Sequence, residues 1–64
     1  MFNVFYDTST RRRVAYCQAK MSHQEALGQL ARFKIRYLDR SGRGRAYPNG
    51  QGRYDIRNAR VEPC

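Results

Sequence analysis

The chain has 64 residues, of which 13 are basic and five acidic, and its formal net charge is +8. A chain this short forms a single small domain, over residues 1–64, and buries only about 60% of the surface that it exposes when unfolded. Its Phe and Tyr residues argue against full disorder, two cysteines are too few for a secreted disulfide scaffold, and no stretch approaches the ~20 apolar residues of a membrane span.

Two strands are predicted at the N-terminal end. Residues 2–6 are rich in Phe, Val and Tyr, and residues 14–19 have a similar apolar character. Between them lie a cluster of turn formers, residues 7–10, and a run of arginines, residues 11–13. This order predicts a β-hairpin with the arginines at its tip or on its first rungs.

A helix is predicted over residues 22–32. Ser22 and Glu25 have the spacing of a capping box, and the apolar residues that follow recur at helical spacing. Gly28 lies inside this helix, where it either marks a close contact with the sheet or is tolerated at a cost of roughly 1 kcal/mol relative to Ala.

The pattern then changes to a period of two over residues 33–39, which predicts a half-buried strand with a basic outer face. Turn signals interrupt the pattern, and alternation resumes over residues 53–57. The apolar residues after Asn58 fall on the other parity. That shift indicates a β-bulge near Asn58 or the end of strand pairing.

These elements predict an α+β fold, a small two-layer ββαββ domain in which one helix packs on one face of an antiparallel sheet. The uncovered sheet face is expected to be polar and basic. Four cations lie on the parity opposite the apolar residues of their strands, namely Lys34, Arg36, Arg53 and Arg57. If the strands pair, these cations share one surface, which is either a phosphate-binding face or a solvated face with salt bridges.

A second candidate for binding lies between the last strands. Arg43, Gly44 and Arg45 resemble the core of an AT-hook or RGG-type segment, although the AT-hook prolines are absent. The resemblance implies arginines that enter a minor groove or stack on unpaired bases. Tyr47 is in the same loop and is the tyrosine best placed for stacking, whereas most other tyrosines are expected in the core. The alternative is a flexible loop with hydrated arginines.

The arginine run of the hairpin is a third candidate. Three adjacent arginines in a turn are expected to be exposed, as a finger into a groove, a patch for an acidic protein, or a solubilising turn.

Catalysis has little support in the sequence. The single histidine, His23, has no second general base beside it, and Glu25 is assigned to the capping box. No Cys-x-x-Cys pair is present, and Cys17, Cys64 and His23 cannot complete a four-ligand zinc site without a carboxylate. We therefore expect no enzyme activity, no cofactor and no bound metal.

The charge excess is the strongest indication of function, because self-repulsion makes it unfavourable for folding alone. Eleven of the 13 basic residues are arginine, whose side chain suits bidentate contacts with phosphate or carboxylate. We expect a small regulatory protein that binds DNA or RNA largely through the phosphate backbone, with low sequence specificity. The alternative is an inhibitor of phage or mobile-element type, such as an anti-CRISPR or host-takeover protein, that binds an acidic surface of a larger nucleic-acid-handling machine.

Both interpretations use the same candidate residues: Arg11, Arg12, Arg13, Lys34, Arg36, Arg43, Arg45, Tyr47, Arg53 and Arg57. We expect a cytoplasmic protein with reduced thiols and no membrane partner. A homodimer formed through a sheet edge or through uncovered apolar residues would double the basic surface, and the sequence leaves that alternative open.

Overall fold

The computed structural model describes residues 1–17, 20–44 and 55–64. In chain order these residues form β1 (Phe2–Asp7), β2 (Val14–Ala15), α1 (His23–Tyr37) and β3 (Arg57–Pro63). The strands make one antiparallel sheet in the order β2-β1-β3, so β1 is central. The predicted α+β class, with one helix and an antiparallel sheet, is confirmed. Among these residues there is no helix of the length and apolar character that crossing a bilayer requires.

The N-terminal hairpin is confirmed, because β1 and β2 are antiparallel neighbours. β2 ends at Ala15, and beyond it the N–H of Tyr16 still donates to the carbonyl of Val4 at 2.9 Å. Phe2 and Met21 exchange two backbone hydrogen bonds, of 2.7 and 3.1 Å. These bonds join the segment just before α1 to the start of β1. Residues 18 and 19 of the predicted second strand lie outside the described residues.

β3 contains a bulge, which is one of the two alternatives predicted near Asn58. Phe5 of β1 lies opposite Arg60. Two residues further along β1, Asp7 lies opposite Arg57, which is three residues from Arg60. β3 therefore has one residue more than β1 in this interval. Asn58 has a φ of 55°, a left-handed conformation that is typical of bulges.

α1 begins where predicted and ends later. The Ser22 hydroxyl accepts the N–H of Glu25 at 3.2 Å, and the Ser22 N–H donates to the Glu25 carboxylate at 3.4 Å, which completes the capping box. The helix was predicted to end at residue 32 but continues to Tyr37, so the predicted strand over residues 33–39 is wrong. The ββαββ order is not confirmed, since the described residues hold three strands.

A packing contact explains why this segment is helical. The rings of Phe33 and Tyr37 are 5.1 Å apart between centroids, and both pack into the core. Residues four apart share one face of a helix, and they also share one face of a strand. The spacing of Phe33 and Tyr37 therefore fits both periods, whereas Ile35 between them fits only the strand and is exposed in the helix. Packing of Phe33 and Tyr37 against the sheet selects the helix.

The core lies between α1 and the sheet. Val4, Phe33 and Leu38 are its buried centre. Tyr6 stacks on Phe33 at 5.4 Å between ring centroids, and Tyr16 meets the same ring edge-on at 4.9 Å. The tyrosines of the described residues thus fill the core, as expected. The partly buried residues packed around this centre are Tyr6, Tyr16, Leu30, Tyr37, Ile56, Ala59 and Val61.

The sheet face turned away from α1 differs from the basic surface that was expected. Asn3 and Phe5 of β1 are buried there, with 4% and 5% of their surfaces exposed. The guanidinium of Arg13 covers Phe5, 4.2 Å from the ring centroid. Lys34 and Arg36 belong to the helix, so the expected group of four cations on one sheet face is wrong.

Candidate nucleic-acid interface

The hairpin loop, residues 8–13 between β1 and β2, is held by bonds within itself. The hydroxyl of Thr8 accepts the N–H of Arg11 at 3.0 Å, and the N–H of Thr8 donates to the carbonyl of Arg11 at 2.7 Å. Arg11 and Arg12 are exposed, and neither forms an ion pair with a carboxylate in the part of the chain that the structure describes. The loop therefore presents two unneutralised guanidinium groups on a bonded backbone.

The post-helix loop, residues 39–44, is built around Asp39. Its carboxylate accepts the N–H of Arg43 at 3.2 Å, and its own N–H donates to the carbonyl of Arg43 at 2.7 Å. Gly42 has a φ of 85°, which glycine adopts without the strain that a Cβ would add. Arg40 and Arg43 are exposed on this loop.

Two consecutive residues, Asp55 and Ile56, anchor both loops to the start of β3. The Asp55 carboxylate accepts the N–H of Ser9 at 2.8 Å and also accepts the Ser9 hydroxyl. The carbonyl of Ile56 accepts the N–H of Gly44 at 3.1 Å. The Ser9 hydroxyl, the Ser9 N–H and the guanidinium of Arg57 lower the pKa of Asp55 below its ordinary value of 3.8. Asp55 and Ile56 are termed the loop anchor below.

The two loops lie at the same end of the molecule. Near the other end, Phe2 at the start of β1 contacts His23 at the start of α1, with ring centroids 4.8 Å apart. Further along both elements, Tyr6 stacks on Phe33. β1 and α1 therefore run in the same general direction, and the loops that follow them meet. This end is termed the cationic pole, after its exposed basic residues Arg11, Arg12, Lys34, Arg36, Arg40, Arg43 and Arg57.

Arg13 differs from the two arginines that precede it. Its guanidinium covers Phe5, donates to the carbonyl of Pro63 at 2.7 Å and lies 3.7 Å from the Glu62 carboxylate. Arg13 thus covers part of the sheet face that is turned away from α1, and it is not counted in the cationic pole.

Asp7 joins the hairpin to β3. One carboxylate oxygen accepts the N–H of Arg13 at 2.9 Å and the guanidinium of Arg60 at 2.8 Å, and the other accepts the side-chain amide of Asn58 at 3.1 Å. These donors, the Arg13 N–H first, hold the pKa of Asp7 far below its ordinary value of 3.8. Arg60 also pairs with Glu62 at 2.9 Å. Its hydrogen bond to Asp7, followed by that to Glu62, raises the pKa of Arg60.

The remaining predicted binding residues are divided between α1 and the undescribed part of the chain. Lys34 and Arg36 are both in the last turn of α1, where cations also complement the helix dipole. Residues two apart project about 200° from each other around a helix, so the two side chains lie on different flanks. Arg36 lies over the ring of Tyr37, 5.4 Å from its centroid. Three predicted residues lie outside the described residues: Arg45, Tyr47 and Arg53.

Two parts of this site were not predicted. Arg40 is absent from the predicted set and is exposed at the cationic pole, where the longer helix and the loop after it carry it. The contact of Ser9 with Asp55 joins residues 46 positions apart, and no local pattern signals it. The available signal for Arg40 was its residue type, since it lies in the same turn-rich segment as Arg43.

The acidic residues of the chain are all used in holding the fold. Each of the five carboxylates accepts hydrogen bonds or forms an ion pair: Asp7, Glu25, Asp39, Asp55 and Glu62. Within the described ranges, no three His, Cys, Asp or Glu side chains come together as a metal site.

Comparison of the chain with protein-family models, with curated protein sequences and with solved structures finds no match.

Proposed function

We propose that this protein binds nucleic acid through the cationic pole, mainly by contacts with phosphate and with low sequence specificity. The supporting observation is the contrast between the two kinds of charge. All five carboxylates are engaged in the fold, whereas Arg57 is the one residue of the cationic pole with an ion pair in the described part of the chain. Its guanidinium lies 3.1 Å from the Asp55 carboxylate. A polyanion would supply the missing counter-charge.

The chemistry of the pole favours phosphate. Six of its seven basic residues are arginines, whose planar guanidinium groups donate two parallel hydrogen bonds to a phosphate group. Four of the six are in or next to loops whose backbones are hydrogen-bonded, so little backbone ordering remains to be paid for on binding. These four are Arg11, Arg12, Arg40 and Arg43.

Low specificity follows from what α1 exposes. Phosphate contacts carry no direct sequence information, and reading a base edge needs polar side chains in a groove. The exposed side chains of α1 that could hydrogen-bond to base edges, such as Gln24 and Arg32, are separated by residues that have no such groups, namely Leu27, Gly28 and Ala31. A regulatory effect would then come from occupying nucleic acid that another protein needs.

In this proposal the protein acts by binding, with no catalytic step and no cofactor. The proposal is consistent with carboxylates that serve as structural acceptors and with a histidine ring packed on Phe2.

We also propose a cytoplasmic location. The free thiols of Cys17 and Cys64 support this part of the proposal, because thiols stay reduced there.

The experiment is a titration of random-sequence nucleic acid at several salt concentrations. We expect a plot of log affinity against log salt with a slope steeper than about −4, since each neutralised phosphate contributes about −0.9 on B-DNA. The double variant Arg11→Gln, Arg12→Gln should weaken binding and make the slope shallower by about 2. Lys20→Gln is the control, because Lys20 is exposed near the start of α1, away from the cationic pole.

Weak binding in this titration would contradict the proposed function. Affinity no tighter than about millimolar at low salt would contradict nucleic-acid binding. The alternative inhibitor, which would place the same arginines on an acidic protein surface, would then be tested by capture of partners with the wild type and the double variant.

A further inference from the structure

The structure also bears on which form of nucleic acid fits the cationic pole, an inference that rests on the function proposed above. We propose that the pole binds a double helix in preference to a single strand, and that the loop anchor positions the arginines for this contact.

The packing of the aromatic rings favours a double helix over a single strand. Proteins that bind single strands stack bases on exposed aromatic side chains, and each stacked base contributes about 1–3 kcal/mol. Every Phe and Tyr ring of the described residues is buried or half-buried and packed against other groups, which leaves little ring surface for stacking a base. These rings are those of Phe2, Phe5, Tyr6, Tyr16, Phe33 and Tyr37.

The hydrogen bonds that tie the two loops together also favour a double helix. A duplex presents phosphates at a regular spacing, one negative charge per roughly 1.7 Å of axis, and cannot rearrange them cheaply. Cations at a fixed separation bind such a regular array of phosphates more tightly than cations on flexible segments, because they lose less conformational entropy on binding. The hairpin loop and the post-helix loop are hydrogen-bonded to adjacent residues, Asp55 and Ile56, which ties the position of one loop to that of the other.

The position of Asp55 supports this role. It is an exposed anion among the basic residues of the cationic pole, and by charge alone it would oppose the approach of phosphate. Its carboxylate accepts two hydrogen bonds from Ser9, so the anion has a structural role in holding the hairpin loop. A variant that removes only the charge and a variant that removes the charge and the acceptor should therefore behave differently.

The test compares Asp55→Asn with Asp55→Ala. Both remove one negative charge, but the asparagine amide oxygen can still accept the donors of Ser9 and the alanine cannot. Affinities are measured by fluorescence anisotropy for a duplex of about 20 base pairs and for one of its strands at about 0.1 M salt. Glu25→Gln removes the same charge at the start of α1 and keeps the capping box, so it controls for net charge.

We expect wild-type protein to bind the duplex at least about tenfold more tightly than the single strand. Asp55→Asn should bind the duplex as tightly as wild type or more so. Asp55→Ala should bind the duplex about three- to tenfold more weakly than Asp55→Asn, with little difference between the two on the single strand. Circular dichroism of both variants checks folding. If the alanine variant does not fold, Ser9→Ala removes the hydroxyl bond alone and should show a smaller loss on the duplex.

Each contrary result has its own meaning. Equal or tighter binding to the single strand would overturn the duplex preference and leave the proposed function standing. Equal duplex affinity of folded Asp55→Asn and Asp55→Ala would overturn the role of the loop anchor. Failure of wild-type protein to bind either form would overturn the proposed function, and this inference with it.

Discussion

The side-chain amide of Asn58 donates a hydrogen bond of 3.1 Å to Asp7, which joins the bulge of β3 to the end of β1. Asn58 has a φ of 55°, and Arg13, whose N–H donates to the other oxygen of Asp7, has the same φ. Both non-glycine residues with positive φ in the described part of the chain are thus bonded to one carboxylate. The left-handed conformation costs an L-residue roughly 1 kcal/mol, and the hydrogen bonds to Asp7 offset this cost at both positions.

The bulge can be tested at Asn58 itself. Asn58→Ala should lower the free energy of unfolding by about 1–2 kcal/mol, because it loses the bond to Asp7 and keeps a Cβ in the left-handed region. Asn58→Gly loses the same bond but relieves the strain, so it should cost less. Urea unfolding of both variants measures the difference. A glycine variant less stable than the alanine variant would contradict the left-handed bulge.

Stability should depend on pH in the acid range. The pKa values of Asp7 and Asp55 are lowered in the folded protein, so the folded state holds their protons less tightly than the unfolded chain does. Their contribution is complete above the ordinary value of 3.8 and is lost as the pH falls toward the lower folded values. We expect a nearly constant Tm down to about pH 5 and a steep fall below about pH 4. Asp7→Asn should make that fall shallower, and an unchanged acid profile would contradict the assignment.

Adjacent arginines of the hairpin loop should have different roles. Arg13→Ala should lower the free energy of unfolding by about 1 kcal/mol, because it uncovers Phe5 and removes the bond to Pro63. Arg12→Ala should change stability by no more than about 0.5 kcal/mol and should weaken nucleic-acid binding. Thermal unfolding and the salt titration, run on both variants, separate the two effects. The reverse pattern would place Arg13, and not Arg12, in the cationic pole.

Gly28 is tolerated in α1 and is not required by packing. It is exposed, and a Cβ built at this position meets nothing within 4 Å. Gly28→Ala should therefore raise the free energy of unfolding by about 0.5–1 kcal/mol, since alanine has the higher helix propensity. A loss of stability in urea unfolding would show that the position makes a contact that glycine alone permits.

The late end of α1 can be tested at Phe33, which has 1% of its surface exposed. Phe33→Ala should cost about 3–5 kcal/mol, which is comparable to the whole stability of so small a domain. Phe33→Leu keeps most of the volume and should leave a measurable transition. Leu27→Ala, at a position 46% exposed, is the matched control and should have a smaller effect. Comparable losses for Phe33→Leu and Leu27→Ala would contradict the packing described here.

Features that depend on neighbours along the chain were predictable from the sequence. The capping box needs only Ser22 and Glu25 at the right spacing, and the hairpin needs turn formers between two apolar runs. The irregularity at Asn58 was visible as a change of parity, because side chains alternate strictly along a strand. The sequence left open whether it was a bulge or the end of pairing. The charge excess, and with it the expected class of partner, is a property of composition alone.

The tertiary structure decided what depends on contacts between distant residues. Phe33 and Tyr37 fit a strand and a helix alike, whereas Ile35 fits the strand period only and is 74% exposed in the helix. The contact of Tyr6 with Phe33 accompanies the helix. The arginines form one pole because Asp55 and Ile56 anchor two loops that are far apart in the chain. Composition sets how much charge a chain carries, but the folded backbone sets where each charge lies. For this reason the sequence by itself predicted an anionic partner, and only the fold separated Arg13, whose side chain covers Phe5 of the sheet, from the exposed arginines of the cationic pole.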